Sequence, residues 1–305
     1  MTINTIEYAK LMMKQLDQHA VHGLTSGWME ANAGQVIYNG GDEVKIPTMS
    51  TVGLANYDRD AGFVQGGVTL KYDTYKMTQD RGRTFQLDSM DVDESGFVAT
   101  SANLIKVFQT EQVIPEIDAY RYSKIAAIAK TAGQTEAIAL TADNALDKIR
   151  EHIRAVQDIV GEDVPLVLTM SSITRALIEG STKIGKSINV ADFKQGALNF
   201  KVKTLDECPI RIAPSARLKT LYNIQDGKTG GQEAGGLKAA AEAKDINWII
   251  TPQNVPIGIS KTDKLRVFTP DVNQKADAWK IDFRKYHDLW IKKQKENQIF
   301  VCTNA

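Results

Sequence analysis

Apolar residues along this chain follow two periods. Ile3, Ile6, Leu11, Met12 and Leu16 recur at helical spacing behind Thr5, a suitable N-cap, and predict an N-terminal helix ending near His22 and Gly23. Val68, Leu70 and Tyr72 instead alternate with Thr69, Lys71 and Asp73. Tyr75 and Met77 take the opposite parity, continued by Phe85 and Leu87, which predicts a bulge or a two-sided strand. Fully extended, residues 68–88 would reach roughly 70 Å at ~3.3 Å per residue, far beyond the radius of gyration of ~19 Å expected for a compact domain of this length. The intervening stretch 52–67 carries Gly53, Gly62, Gly66 and Gly67 without a helical period and reads as the apex of a hairpin running from Val44 to Asp88. Such an arm needs neighbouring chains to cover its edges.

Two helices are expected next, Ser101 to Gln112 and Pro115 to Ala132, divided at a proline suited to a first helical turn. Ile117, Tyr120, Ile125 and Ile128 form an apolar stripe on the second, and Glu116 and Asp118 sit favourably near its N-terminus. Thr141 is a candidate cap for a third helix, with Ala145, Leu146, Ile149, Ile153, Val156 and Val160 on one face and Gly161 beyond. An α/β pattern follows: a buried strand from Val164 to Met170, a short helix from Ser171 to Glu179 capped by its serine, and a strand from Pro209 to Ala213. Gly227 to Lys244 reads as a surface loop. Strands are expected at Asn247 to Thr251, Ile257 to Ser260, Leu265 to Thr269 and Ala278 to Lys292. The polar turn Lys295 to Gln298 would return Ile299 to Cys302 as a hairpin partner of the last of these.

A chain of 305 residues suggests about two domains or one large one. Its 43% hydrophobic and 24% charged residues exclude disordered, collagen-like and disulfide-scaffold classes. Thirty-seven basic residues balance 37 acidic ones, which removes the broad positive footprint of a dedicated nucleic-acid binder. Cys208 and Cys302 lack zinc or redox spacing and fit a reducing compartment. Glu7, Lys10, Lys14 and Asp17 interrupt the first twenty residues, so no export signal is expected, and no apolar run approaches the ~20 residues of a membrane span.

Candidate chemistry is sparse. Gly180 to Ser187 satisfies the G-x-x-x-x-G-K-[ST] phosphate-binding pattern, but a helix rather than a strand leads into it and no helix clearly leads out, so a surface turn is expected. Asp91 to Gly96 opens like a calcium loop, yet Ala102 stands at the twelfth position where glutamate is required, which favours an exposed acidic turn. His19 and His22 lack a third metal ligand, and His152 and His287 lack a nucleophile motif. No cofactor, metal or catalytic set is expected. Asp80-Arg81-Gly82-Arg83 suits either ion pairing across an interface or a solvated bend.

The run Asp80-Arg-Gly-Arg-Thr-Phe-Gln-Leu-Asp-Ser-Met-Asp-Val-Asp-Glu94, followed by Val113-Ile-Pro-Glu-Ile-Asp-Ala-Tyr-Arg-Tyr-Ser123, resembles the major capsid proteins of tailed bacteriophages. Asn254-Val-Pro-Ile-Gly258 and Arg284-Lys-Tyr-His-Asp-Leu-Trp290 look like the same family. The resemblance implies an α+β chain of the Hong Kong 97 type: an N-terminal arm (1–43), an extended E-loop hairpin and its base (44–96), a peripheral domain with a spine helix (97–133 and 271–305) and an axial domain (134–270). It implies a non-enzymatic subunit of hexamers and pentamers in an icosahedral shell, assembled in the bacterial cytoplasm around double-stranded DNA. A portal and a separate scaffolding protein are implied as partners, unless this chain is a processed form; no membrane is involved. Asp80, Arg81, Arg83, Tyr57 and Arg59 are the expected intersubunit contacts. None of Lys45, Lys71 and Lys76 matches a crosslinking lysine of the family. An encapsulin-like nanocompartment shell and a P-loop enzyme are the alternative readings, separated by cargo and by nucleotide binding.

Overall fold

The computed structural model describes residues 23–38, 43–60, 62–88, 90, 101–181, 204–206 and 208–305. The expected helix over residues 3–22, the acidic turn 91–96 and most of the 180–187 pattern lie outside them. In chain order, a 3-10 segment (Gly27–Gln35) leads into β1 (Ile37–Tyr38), β2 (Glu43–Thr51), β3 (Val68–Lys76) and β4 (Gln79–Asp88). Then come α1 (Ser101–Phe108), α2 (Ile114–Thr131), β5 (Thr135–Ala137), α3 (Ala145–Val160), β6 (Leu166–Ser171) and α4 (Ser172–Glu179). The remainder is strands: β7 (Thr204–Leu205), β8 (Cys208–Ala213), β9 (Tyr222–Gln225), β10 (Gly236–Ala239), β11 (Ile246–Pro252), β12 (Ile257–Phe268), β13 (Ala278–Trp290) and β14 (Phe300–Thr303).

The largest sheet has the order β5-β14-β11-β6-β8-β7 and is mixed, with β5/β14 and β6/β8 parallel. Alternate residues of β11 serve its two faces. Trp248 and Ile250 pack with Leu146, Ile149, Ile153 and Val156 of α3 and with Leu168 and Met170 of β6. Ile249 packs with Tyr122, Ile125, Ala126 and Ala129 of α2. A second sheet, β12-β13-β4, covers α1 and another stretch of α2, joining Leu265, Ile281 and Phe283 to Ile105 of α1 and to Ile114 and Ile117 of α2. Thus α2 is enclosed by two sheets, which is why polar Asp118 and Arg121 are buried on it beside its apolar residues.

Several expectations are corrected. Pro115 does not divide two helices: α1 runs through a π turn (Gln109–Val113) directly into α2, with the proline in the first turn after it. Proline lacks the N–H that a helix would use and crowds the preceding turn, and the widened π turn accommodates both. The N-cap of α3 is Asn144, whereas Thr141 closes the preceding turn by accepting from the Asn144 N–H at 3.3 Å. Ser171 does cap α4, accepting from the Thr174 N–H at 3.1 Å. Residues 257–268 form one strand, its register shifting between Lys261 and Lys264. The stretch 227–244 contains β10, paired with β9. β14 does not return along β13; it pairs with β11 and β5, carried past its sequence neighbour by the 3-10 turn Lys293–Gln298.

The parity switch between Tyr72 and Tyr75 falls inside β3, whose pairing with β2 keeps register from Val68 to Lys76, so the strand is two-sided and not bulged: Val68, Leu70 and Tyr72 are exposed on one face and Tyr75 lies on the other. The extended chain then changes sheets, β4 pairing with β13 after Met77 and Thr78. Tyr75 and Met77 turn inward at that crossing, onto Val44, Ile46, Ile257, Ile259 and Trp290.

Candidate assembly surface

β2 and β3 pair in register over nine residues, from Glu43 opposite Lys76 to Thr51 opposite Val68. At ~3.3 Å per residue each strand is about 30 Å long. Only the root is buried. Val44 and Ile46 are covered, whereas Met49, Val68, Leu70 and Tyr72 are exposed, as are Val52, Leu54, Phe63 and Val64 in the apex. Leu54 is 108% exposed, the value of a side chain that touches almost nothing, and Phe63 is 88% exposed. Burying a large apolar side chain stabilises by about 1.5–3 kcal/mol, so this arm forgoes that gain along most of its length. An apolar surface of this extent marks a place where another molecule sits.

Tyr57 and Arg59 are at the far end. A bridge between Asp58 and Gly62 closes the tip through backbone hydrogen bonds of 3.2 and 2.9 Å, and the Tyr57 ring packs against Phe63 with centroids 4.8 Å apart. Gly62 has φ +80°, a left-handed turn position open to glycine at little cost.

At the root, the buried Asp288 carboxylate of β13 fastens the arm. It accepts from the Thr78 N–H and hydroxyl at 2.9 and 3.0 Å and from the Tyr120 hydroxyl at 2.7 Å, and it pairs with Lys124. Tyr120 and Lys124 belong to α2, so one carboxylate joins the hairpin root, the long helix and β13. The Tyr286 hydroxyl donates to the Met77 carbonyl at 3.1 Å, adding a second tie to the root.

The four-residue run starting at Asp80 lies on β4, beside this root. Asp80 pairs with Arg284 of β13, which holds its carboxyl below the ordinary range. Arg81 finds its carboxylate within the chain: its Nε donates to Glu116 at 2.7 Å, and other guanidinium donors reach the Gln225 and Gly236 carbonyls at 2.9 and 3.3 Å. Arg83 donates to the Glu233 carbonyl at 3.0 Å. Together the two arginines clasp the β9–β10 hairpin. Tyr57 and Arg59 at the tip and this group at the root thus occupy opposite ends of the arm.

Sequence reasoning missed Asp118 and Asp288. Asp118 is fully buried and accepts from the N–H and hydroxyl of both Thr25 and Ser26, at 2.6–3.1 Å, and from Arg217 at 2.9 Å. Its neighbour Arg121 donates to Glu30 at 2.6 Å. The signal was present: residues 114, 117, 118, 121, 122 and 125 form one helical stripe, and two of its six positions are charged. Charges on a buried stripe must find partners. The Asn254–Gly258 run has a similar role, since its Asn254 and Pro256 carbonyls accept from Gln35 and Asn32 at 3.1 and 2.8 Å, docking the 3-10 segment.

The two described histidines, His152 and His287, are both buried. Burial pushes His287 down to about 3, and its ring lies edge-on to Tyr120 at 5.5 Å. Burial likewise pushes the Cys302 thiol up to about 12, far from the thiolate needed for chemistry. Gly180 closes the C-terminal end of α4, so the phosphate-like pattern begins after a helix. Among the described residues no three His, Cys, Asp or Glu side chains gather as a metal site, and no helix is long and apolar enough to cross a membrane.

No protein-family model matches the chain, and no curated protein does. Solved structures do. A chain of the mature capsid of bacteriophage PhiM1 is 13% identical and aligns over 88% of this chain and 84% of its own, with a TM-score of 0.60. A chain of the capsid of cyanophage P-SCSP1u is 11% identical over 88% and 85%, also at 0.60. One from Microbacterium phage Oxtober96 is 12% identical over 90% and 91%, at 0.55. An α+β chain with a long central helix, mixed sheets and a projecting hairpin, similar over nearly its whole length to these subunits, has the Hong Kong 97-like fold of tailed-phage capsid proteins.

Proposed function

We propose that this chain is a non-enzymatic structural subunit that assembles, as hexamers and pentamers, into an icosahedral shell enclosing double-stranded DNA. The observation that carries the proposal is the β2–β3 arm, whose outer half is apolar, exposed and without a partner surface on its own body. Fold alone does not assign function, but an arm of this kind is unfavourable for a solitary subunit and useful to an assembling one. Zero formal net charge suits a container that must hold DNA without gripping it.

In this reading residues 1–43 are the N-terminal arm, 44–96 the E-loop and its base, 97–133 and 271–305 the peripheral domain, and 134–270 the axial domain. Tyr57 and Arg59 meet a neighbouring subunit at the tip. Asp80 and Arg83 meet a neighbouring subunit at the root, with Arg81 held there by Glu116. A scaffolding protein and a portal complete the assembly in the host cytoplasm, and the product is the virion capsid. Co-expression with the scaffold, followed by sedimentation and electron microscopy, should give capsomers or closed icosahedral particles. A monomer persisting at high concentration with its scaffold present would overturn the proposal, and shells filled with a protein cargo would indicate a nanocompartment.

A further inference from the structure

Between α3 and the six-stranded sheet lies a polar chain that packing alone does not require. The Trp248 indole of β11 is fully buried and its Nε1 donates to His152 Nδ1 at 3.1 Å. His152 Nε2 lies 2.7 Å from Glu136 Oε2 of β5, and the other oxygen of that carboxylate receives Lys148 at 3.4 Å. An indole nitrogen can only donate, so Nδ1 must be an acceptor. The ring proton therefore sits on Nε2 and is donated to Glu136, fixing one neutral tautomer.

We propose that His152 is a proton-sensitive latch, fastening α3 to β5 and β11 in its neutral form and releasing Trp248 when Nδ1 takes a proton. A second proton would place two N–H donors face to face across 3.1 Å, within the packed core, where the indole N–H has His152 Nδ1 as its acceptor. The indole bond is then lost, and Trp248 sits at the centre of the core that joins α3 to the sheet. The charged groups bearing on the ring are Glu136 of β5 and Lys148 and Glu151 of α3. β11 and β14 face it with Trp248 and with Phe300, whose ring centroid is 4.1 Å away. Burial, the strongest influence, disfavours the charged ring, while Glu136 opposes it, so the neutral latch holds at pH 7 and opens on acidification.

The test uses the full-length subunit. His152→Gln supplies a carbonyl for Trp248 and an amide for Glu136 but cannot take a proton. Its unfolding constant at pH 7.5 should stay within a few-fold of the wild-type value. Below pH ~6.5 the wild-type constant should rise more steeply than that of the variant, by up to tenfold per pH unit. In the wild type, the Trp248 indole N–H resonance, assigned with Trp248→Phe, should shift and broaden at lower pH, where the folded ring itself takes up the proton, and imidazole nitrogen shifts should report the Nε2–H form at pH 7.5. Equal pH dependence in the two proteins, an indole resonance indifferent to pH, or the Nδ1–H tautomer would each overturn the latch. The two resonance measurements need no variant of His152, so they decide the matter even if His152→Gln does not fold.

Discussion

The Arg81 guanidinium on β4 meets the Glu116 carboxylate on α2 through two hydrogen bonds, of 2.7 and 3.4 Å, and so joins the strand at the root of the arm to the long helix. Both side chains are largely buried, and the same guanidinium holds both strands of the β9–β10 hairpin by their carbonyls. Arg83 continues the clasp over Gly227 and Gly235. Both glycines have positive φ, and a Cβ on either would come within 3.1–3.2 Å of the Arg83 guanidinium.

Arg81→Ala is expected to destabilise the isolated subunit by about 1.5–3 kcal/mol, the range for hydrogen bonds to charged groups, and Arg81→Lys should recover little because the fork is lost. Chemical denaturation measures this. An unchanged midpoint together with lost particles would place the principal role of Arg81 at an interface instead.

Asp118→Ala removes the carboxylate on which Thr25, Ser26 and Arg217 converge and leaves buried donors unsatisfied. A loss of roughly 3–5 kcal/mol is expected, as for one partner of a buried pair. A loss below 1 kcal/mol in a denaturation titration would refute the role given to this residue.

Gly82 lies so close to β13 that a Cβ would approach the Phe283 carbonyl oxygen to 2.8 Å. Gly82→Ala should cost ~1–3 kcal/mol through strand displacement. Hydrogen exchange should show faster exchange along β4 and β13 while β6 and β11 keep their protection.

His287 sets a pH dependence whose sign follows from burial. An unfolded histidine titrates near 6.5 and the folded one at about 3. Between these values the unfolded chain holds the extra proton, so the contribution is complete above pH ~6.5 and falls by about 1.4 kcal/mol per unit on acidification. His287→Phe should flatten the stability profile between pH 6 and 4 by one proton; an identical slope would show that His287 is protonated in the fold.

Replacing residues 52–67 with a short turn should leave the melting temperature within a few degrees, since the apex makes few contacts with the body, while abolishing stable shells. Sedimentation tests the second half. Normal shells would remove the apex from assembly, and a collapsed subunit would show that the arm folds onto its own body.

Local periodicity was enough for much of the secondary structure. The apolar face of α3 from Ala145 to Val160, the buried run of β6 and the serine cap of α4 are all legible, because each depends on residues within a turn or two of one another. The alternation from Val68 to Tyr72 announced a strand, and the four quoted runs announced the fold. Partnership was not legible. β14 passes over β13 to pair with β11 and β5, and the extended chain leaves β2 for β13 after Met77 and Thr78, a change of sheet that the alternation does not announce. Asp118 reads as a favourable charge near a helix N-terminus, and only tertiary packing brings Ser26 and Arg217 to it from either side along the chain. Arg81, read as an interface residue, acquired Glu116 in the same way. The physical reason is common to all of these. Hydrophobic spacing states which side of a segment must leave water, whereas the partner of a charge or a strand edge is set by which distant segments the completed core brings within hydrogen-bonding distance.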